Sequence, residues 1–209
     1  MTKKERAEAC VSLLKQRYPD AKCSLESVNA FQLLVATRLS AQCTDARVNM
    51  VTPALFERFP DPKAFAEASY EEVGEYIKSC GLYKTKSKSL VEMSKMLCEK
   101  FNGEVPATLE ELVTLPGIGR KTANLIMGDV YGQPAVVADT HLIRISNRLG
   151  LVDSNDPYKV EMQLKKILDP KESSNFCHRM VHFGREICSA RKPKCQECPL
   201  SDYCKYKSK

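Results

Sequence analysis

No apolar run in this 209-residue chain is long. Its uncharged stretches, such as FQLLVAT at 31–37, fall far short of the ~20 apolar residues a bilayer-spanning helix needs. Strand signals are almost absent. Only AVVA at 135–138 reads as a strand, and it is too short to require a sheet. There is no internal repeat and no low-complexity tract, which excludes solenoids and disordered linkers as the organising plan. The opening MTKKERAEAC is a charged amphipathic pattern without the apolar core of a signal peptide. The expectation is a soluble, intracellular protein.

Basic charge and cysteine are plentiful. Lys and Arg number 32 against 26 Asp and Glu, a formal charge of +6 that suits a polyanionic partner without demanding one. Ten cysteines are present. Cys10, Cys23, Cys43, Cys80, Cys98 and Cys177 are scattered, and in an intracellular chain they read as reduced, small core hydrophobes. The remaining four crowd into the C-terminal tail and suggest a metal site.

Helical periodicity dominates the rest. Ala7, Cys10, Val11, Leu14 and Tyr18 share one helix face, stopped by Pro19. Phe31, Leu34, Val35 and Leu39 mark a second apolar segment. Ser69-Tyr-Glu-Glu and Thr108-Leu-Glu-Glu are capping-box starts, and Cys80-Gly81 and Asn102-Gly103 are helix ends. Leu90, Met93, Met96, Leu97 and Phe101 form a further stripe. Helices are also expected at about 120–130, 140–149, 157–168 and 174–188. The fold class is all-α.

Residues 115–124 read LPGIGRKTAN, a turn between two short helices. Glycine permits positive φ and removes Cβ, so the amides of Gly117 and Gly119 can face outward beside the next helix's N-terminus. Such amides, with the helix dipole, suit a phosphate, and Arg120 follows directly. A contact of this kind positions a nucleic acid without reading bases. Lys121 has two readings: one more phosphate contact, or an amine nucleophile. An amine attacks carbon only when neutral, and a lysine at its reference pKa of ~10.4 is neutral about one time in a thousand near pH 7.4. A helix N-terminus disfavours a cation by roughly 0.3–2 kcal/mol, so burial or a proton acceptor must supply the rest. Asp139, in VADTHLIR at 137–144, is a candidate acceptor. It also reads as a plain helix N-cap. A carboxylate there can take a proton, or stabilise positive charge on a sugar ring.

The tail CSARKPKCQECPLSDYC, 188–204, has the spacing C-x6-C-x2-C-x5-C. Four thiolates suit an iron–sulfur cluster or zinc, with disulfides a third option. Only one C-x2-C knuckle is present, whereas zinc sites often pair two. Between the first two cysteines lies SARKPK, a loop pinned at both ends that carries Arg191, Lys192 and Lys194 as candidate phosphate contacts. His178 and His182 stand at i,i+4, a spacing that suits zinc, but no third ligand accompanies them and they read as structural histidines.

Together these residues resemble the endonuclease III family of DNA repair glycosylases, in the helix–hairpin–helix superfamily. The resemblance runs over nearly the whole chain and includes LSAQCTD (39–45), GLYKTKS (81–87), NGEVP (102–106), LPGIGRKTAN, VADTHLIR and the cysteine tail. It implies two helical domains with a DNA-binding cleft between them: a six-helix barrel over 23–133, and a discontinuous iron–sulfur domain formed by 1–22 and 134–209. It implies Lys121 and Asp139 as catalytic residues, and Cys188, Cys195, Cys198 and Cys204 as ligands of a [4Fe-4S] cluster. Gln42 matches the residue that enters the duplex where a base has left, and Leu82 the one that presses on the opposite strand. Asp45 and His141 match positions near the pocket. The implied substrate is double-stranded DNA with an oxidised or ring-saturated pyrimidine or an abasic site. The enzyme would be a monomer acting in the cytoplasm at the nucleoid.

Two rivals remain at this stage. Adenine-mismatch glycosylases of the same superfamily carry a catalytic glutamate in the segment matching 37–43, and TRLSAQC has no carboxylate. They usually continue into a further C-terminal domain, whereas this sequence stops shortly after Cys204. A non-catalytic DNA-binding or redox-sensing protein would use the hairpin and cluster without Lys121 chemistry.

Overall fold

The computed structural model describes residues 1–206, and among them there is no β-strand. The chain divides into two units: Met1–Cys23 with Gly132–Lys209, and Ser24–Tyr131.

Helix α1, Lys3–Arg17, opens on a full capping box. Thr2 accepts from the Glu5 amide, and the Glu5 carboxylate accepts from the Thr2 amide. Ala7, Cys10 and Leu14 of its apolar stripe are buried, and the helix ends at Arg17, before Pro19.

The Ser24–Tyr131 unit follows: α2 Ala30–Leu39, α3 Asp45–Arg58, α4 Pro62–Glu67, α5 Tyr70–Ile77, α6 Tyr83–Phe101, α7 Leu109–Leu112 and α8 Arg120–Asp129. The long α6 is the spine on which α4 and α5 pack, and α2 packs on α8. Phe31, Phe59 and Phe65 interlock with ring centroids 5.1–5.5 Å apart. Burying each such ring contributes about 1.5–3 kcal/mol. Both expected capping residues work: Ser69 accepts from the Glu72 amide and Thr108 from the Glu111 amide. The expected helix end at Cys80-Gly81 needs one refinement. The α-helix stops at Ile77, and a 3-10 turn carries the chain through Cys80 to Gly81 at φ 69°.

Back in the first unit come α9 Thr140–Arg148, α10 Pro157–Lys165 and α11 Ser173–Glu186. Both α1 and α9 pack on α11. AVVA is not a strand. Ala135, Val136 and Val137 are buried as an extended connector, and the Val137 amide donates to Cys177 Sγ at 3.3 Å. The apolar run reflects burial, with no neighbouring strand among the described residues. Of the six scattered cysteines, Cys10, Cys80 and Cys177 are buried, and Cys23, Cys43 and Cys98 are half-buried. Burial pushes the Cys10 thiol up to about 12, so it stays neutral and packs as a small hydrophobe.

Candidate active site

The hairpin forms as its sequence suggests. Leu115 accepts from the Ile118 amide at 3.0 Å, and Leu115 and Ile118 are buried while Gly117 and Gly119 are exposed. Only Gly117 is left-handed, at φ 80°. A Cβ there would lie 2.4 Å from Arg38 Nε. Gly119 is the N-cap of α8, with extended backbone and open space where a Cβ would stand. A side chain there would meet nothing inside the fold, so the position is open to a group from outside. Arg38, which sequence reasoning passed over, is half-buried under this turn and donates through Nε to Ser89 Oγ at 2.8 Å. Burial lowers its pKa from the usual arginine value.

Lys121 is exposed, at the second position of α8 behind the hairpin, and Arg120 is half-buried at the first. Asp139 is half-buried and caps α9, its Oδ1 accepting from the Leu142 amide at 2.7 Å. The cap reading of Asp139 holds, and the cap occupies one of its two carboxylate oxygens. Asp45 opens α3 and accepts from Ser24 Oγ at 2.7 Å. His141 lies on α9 with Nδ1 3.2 Å from Arg144 Nη2, against Gly184 of α11, where a Cβ would come within 2.4 Å of that nitrogen. It is thus built into the packing of its own unit.

Gln42 and Leu82 share a rare conformation. Among the described residues only they and Asn102 are left-handed without being glycine, at φ 54°, 50° and 52°. Asn tolerates this region, but a leucine or glutamine in it is strained by of order 1 kcal/mol. Asn102 closes α6 as the sequence predicts. Gln42 and Leu82 are exposed, Leu82 by 57%.

None of the ten cysteines is in a disulfide. Among the described residues no three His, Cys, Asp or Glu side chains are gathered as a site for one metal ion. His182 stacks on Tyr18 at 6.1 Å. Cys188, Cys195, Cys198 and Cys204 instead line one cavity with Ile187 and Pro193. Four soft sulfur donors around an apolar hollow fit an iron–sulfur cluster. Sequence reasoning missed the clasp on this loop. Arg148, in the last turn of α9, donates to Cys188 Sγ at 3.2 Å and to the carbonyls of Ser189 and Ala190 at 2.8 and 2.9 Å. Its guanidinium lies 4.3 Å from the Tyr206 ring centroid, and its own carbonyl accepts from the Lys205 amide. Arg144, one turn earlier, donates to the Cys188 carbonyl at 2.9 Å. An Arg pair at i,i+4 is the only sequence signal for this. Arg191, Lys192 and Lys194 are exposed on the loop so held, and the Lys194 amide donates to the Ile187 carbonyl.

Comparison with known proteins agrees with this arrangement. The HhH-GPD superfamily of base excision DNA repair proteins matches residues 35–170, and the iron–sulfur binding domain of endonuclease III matches 188–204. Endonuclease III of Synechocystis sp. is 47% identical, with 97% of this chain and 93% of that protein covered. The Bacillus subtilis endonuclease III is 43% identical over 95% and 91%. A solved structure of a trapped endonuclease III–DNA covalent intermediate superposes with a TM-score of 0.92 at 43% identity, covering 98% of this chain and 96% of that one. No helix among the described residues is long and apolar enough to cross a membrane. The chain belongs to the endonuclease III family of the HhH-GPD superfamily, and is a base-excision DNA glycosylase with AP lyase activity and a [4Fe-4S] cofactor.

Proposed function

We propose that the enzyme excises oxidised or ring-saturated pyrimidines, such as thymine glycol, from duplex DNA and cleaves abasic sites, with Lys121 as nucleophile and Asp139 as its partner. The observation that carries this is the placement of an exposed lysine one residue inside α8, behind a hairpin whose Gly119 leaves space open to a phosphate. The Ser24–Tyr131 unit acts as the hairpin-bearing barrel, and the other unit as the cluster domain.

A base inside a duplex is out of reach, so it first leaves the stack. Gln42 fills the space it vacates and Leu82 presses on the opposite strand, holding the duplex kinked. The hairpin amides, Arg120 and the Arg191, Lys192 and Lys194 loop grip phosphates without reading sequence. The neutral Lys121 amine attacks C1′ of the deoxyribose and the C1′–base bond breaks, its electron pair leaving with the base, which takes up a proton. Asp139 stabilises positive charge on the ring and receives the proton released by the amine. Opening of the ring gives an imine between Nζ and C1′. Loss of a C2′ proton then expels the 3′ phosphate by β-elimination. Water as nucleophile would release the base but form no imine. Cys188, Cys195, Cys198 and Cys204 hold the cluster, which supplies a fixed scaffold for the basic loop when bound. Asp45 and His141 shape their surroundings through the contacts already described. The enzyme acts as a monomer at the nucleoid.

The test is borohydride trapping on a duplex with one thymine glycol, beside an abasic duplex. A covalent adduct forms with the parent and is absent with Lys121→Gln, which still binds the lesion. An adduct of equal yield from pure Lys121→Gln sinks the assignment.

A further inference from the structure

Lys86 is 1% exposed, one of the largest fully buried side chains of the molecule. Burying an ammonium is expensive unless its protons are used. Its Nζ donates to the Leu39 carbonyl at 2.7 Å and the Cys80 carbonyl at 2.8 Å. Burial is the main influence on its charge, lowering its pKa from the usual lysine value; the Cys43 and Cys80 thiols and Arg38 follow, with no carboxylate among them. The ammonium is thus held by backbone dipoles and not by an ion pair.

The two carbonyls have a common character. Leu39 ends α2, and Cys80 ends the 3-10 turn after α5. The last carbonyls of a helix lack intrahelical donors and carry the negative end of its dipole, so a cation placed there satisfies both needs. One lysine, from the first turns of α6, closes two helical ends 41 residues apart in sequence. Three residues beyond Leu39 stands Gln42, and two beyond Cys80 stands Leu82. These are the two residues whose left-handed backbone nothing in their own chemistry favours. Strained residues of this kind persist only where the surroundings over-determine them.

We infer that Lys86 is a positioning residue for base extrusion, a single buried ammonium that ties the Gln42 and Leu82 loops into one rigid wedge with a fixed spacing. The inference rests on the reading that these two residues enter the duplex. Its consequence is selective. Lys86 matters when a stacked, paired base must be forced out, and not for the chemistry at C1′ that follows.

The experiment uses the full-length, cluster-loaded protein with Lys86→Met, which fills the same volume without the donors. Three substrates are compared: thymine glycol in a paired duplex, the same lesion inside an unpaired bubble, and a single-stranded abasic oligonucleotide. We expect kcat/KM on the paired duplex to fall by at least about tenfold, with bubble and abasic cleavage near the parent's, because an already unstacked base needs no wedge. An equal loss on all three substrates makes Lys86 merely structural and overturns the inference, as does an unchanged rate on the paired duplex. Lys86→Arg keeps the cation but spreads its donors, and guards against a Lys86→Met protein that does not fold. It should show the same paired-against-bubble split to a smaller degree, and no split overturns the proposal. Gln42→Ala and Leu82→Ala run alongside. If both process the paired duplex like the parent, the wedge reading itself is wrong, and the Lys86 inference falls with it. If they lose paired activity while Lys86→Met keeps it, only the Lys86 inference falls.

Discussion

Asp139 holds a cap and a proposed chemical role, and two substitutions separate them. Asparagine caps helices as well as aspartate does, so Asp139→Asn should keep the bond from the Leu142 amide and melt within about 0.5 kcal/mol of the parent. Its base excision should fall by about 10²–10⁴, the usual contribution of a positioned acid or base. Asp139→Ala should lose the same activity and about 1 kcal/mol of stability besides. Calorimetry and a single-turnover assay on both variants check this. The hairpin glycines form a second pair. Gly117→Ala forces a side chain into a left-handed residue and against Arg38, and should destabilise by ~1 kcal/mol or more. Gly119→Ala meets nothing within 4 Å and should cost only the roughly 0.5–1 kcal/mol by which alanine is the poorer N-cap, while weakening DNA binding. Equal affinity for Gly119→Ala would mean that no phosphate approaches that turn. Much at this scale is legible in sequence, because caps and hairpin glycines act through their own backbone. Lys86 and Arg148 are not. In the string each looks like any surface cation, and only tertiary folding brings the carbonyls that give them meaning.

Elements were legible where local chemistry closes them. The starts of α5 and α7 follow from Ser69 and Thr108, and the end of α6 from Asn102-Gly103. AVVA misled because a buried connector and a strand share one composition, and only a neighbouring strand tells them apart. The joint between α1 and α11 carries a pH prediction. Glu172 accepts from Lys15 at 2.6 Å and from Arg179 at 2.7 Å, and these bonds hold its carboxyl below the ordinary 4.5. A carboxylate with a depressed folded pKa contributes stability that is complete above its unfolded value and lost as pH falls through the folded one. Thermal melts should therefore show Glu172→Gln less stable than the parent at neutral pH. The gap should narrow as pH drops below about 4.5. A gap that stays constant into acid would show that the loss is one of packing.

Across the whole molecule, phosphate contacts should declare themselves through salt. Replacing Arg191, Lys192 and Lys194 together by alanine should flatten the dependence of log affinity on log salt by about 2–3, close to one counterion per contact. Strand scission at saturating DNA should change little. An unchanged salt slope would remove this loop from the interface. The division of the chain bears on synthesis as well. The first residues and the C-terminal third share one unit, with Ser24–Tyr131 inserted between them. Helix α1 buries its stripe partly against α11, and Arg17 precedes Ser173 by 156 residues. On a ribosome adding ~5–20 residues per second, α1 waits roughly 10–30 s for that partner. The inserted unit can close in the meantime from residues already made. The nascent chain thus carries an orphan amphipathic helix, a natural client for a chaperone until α11 has been made.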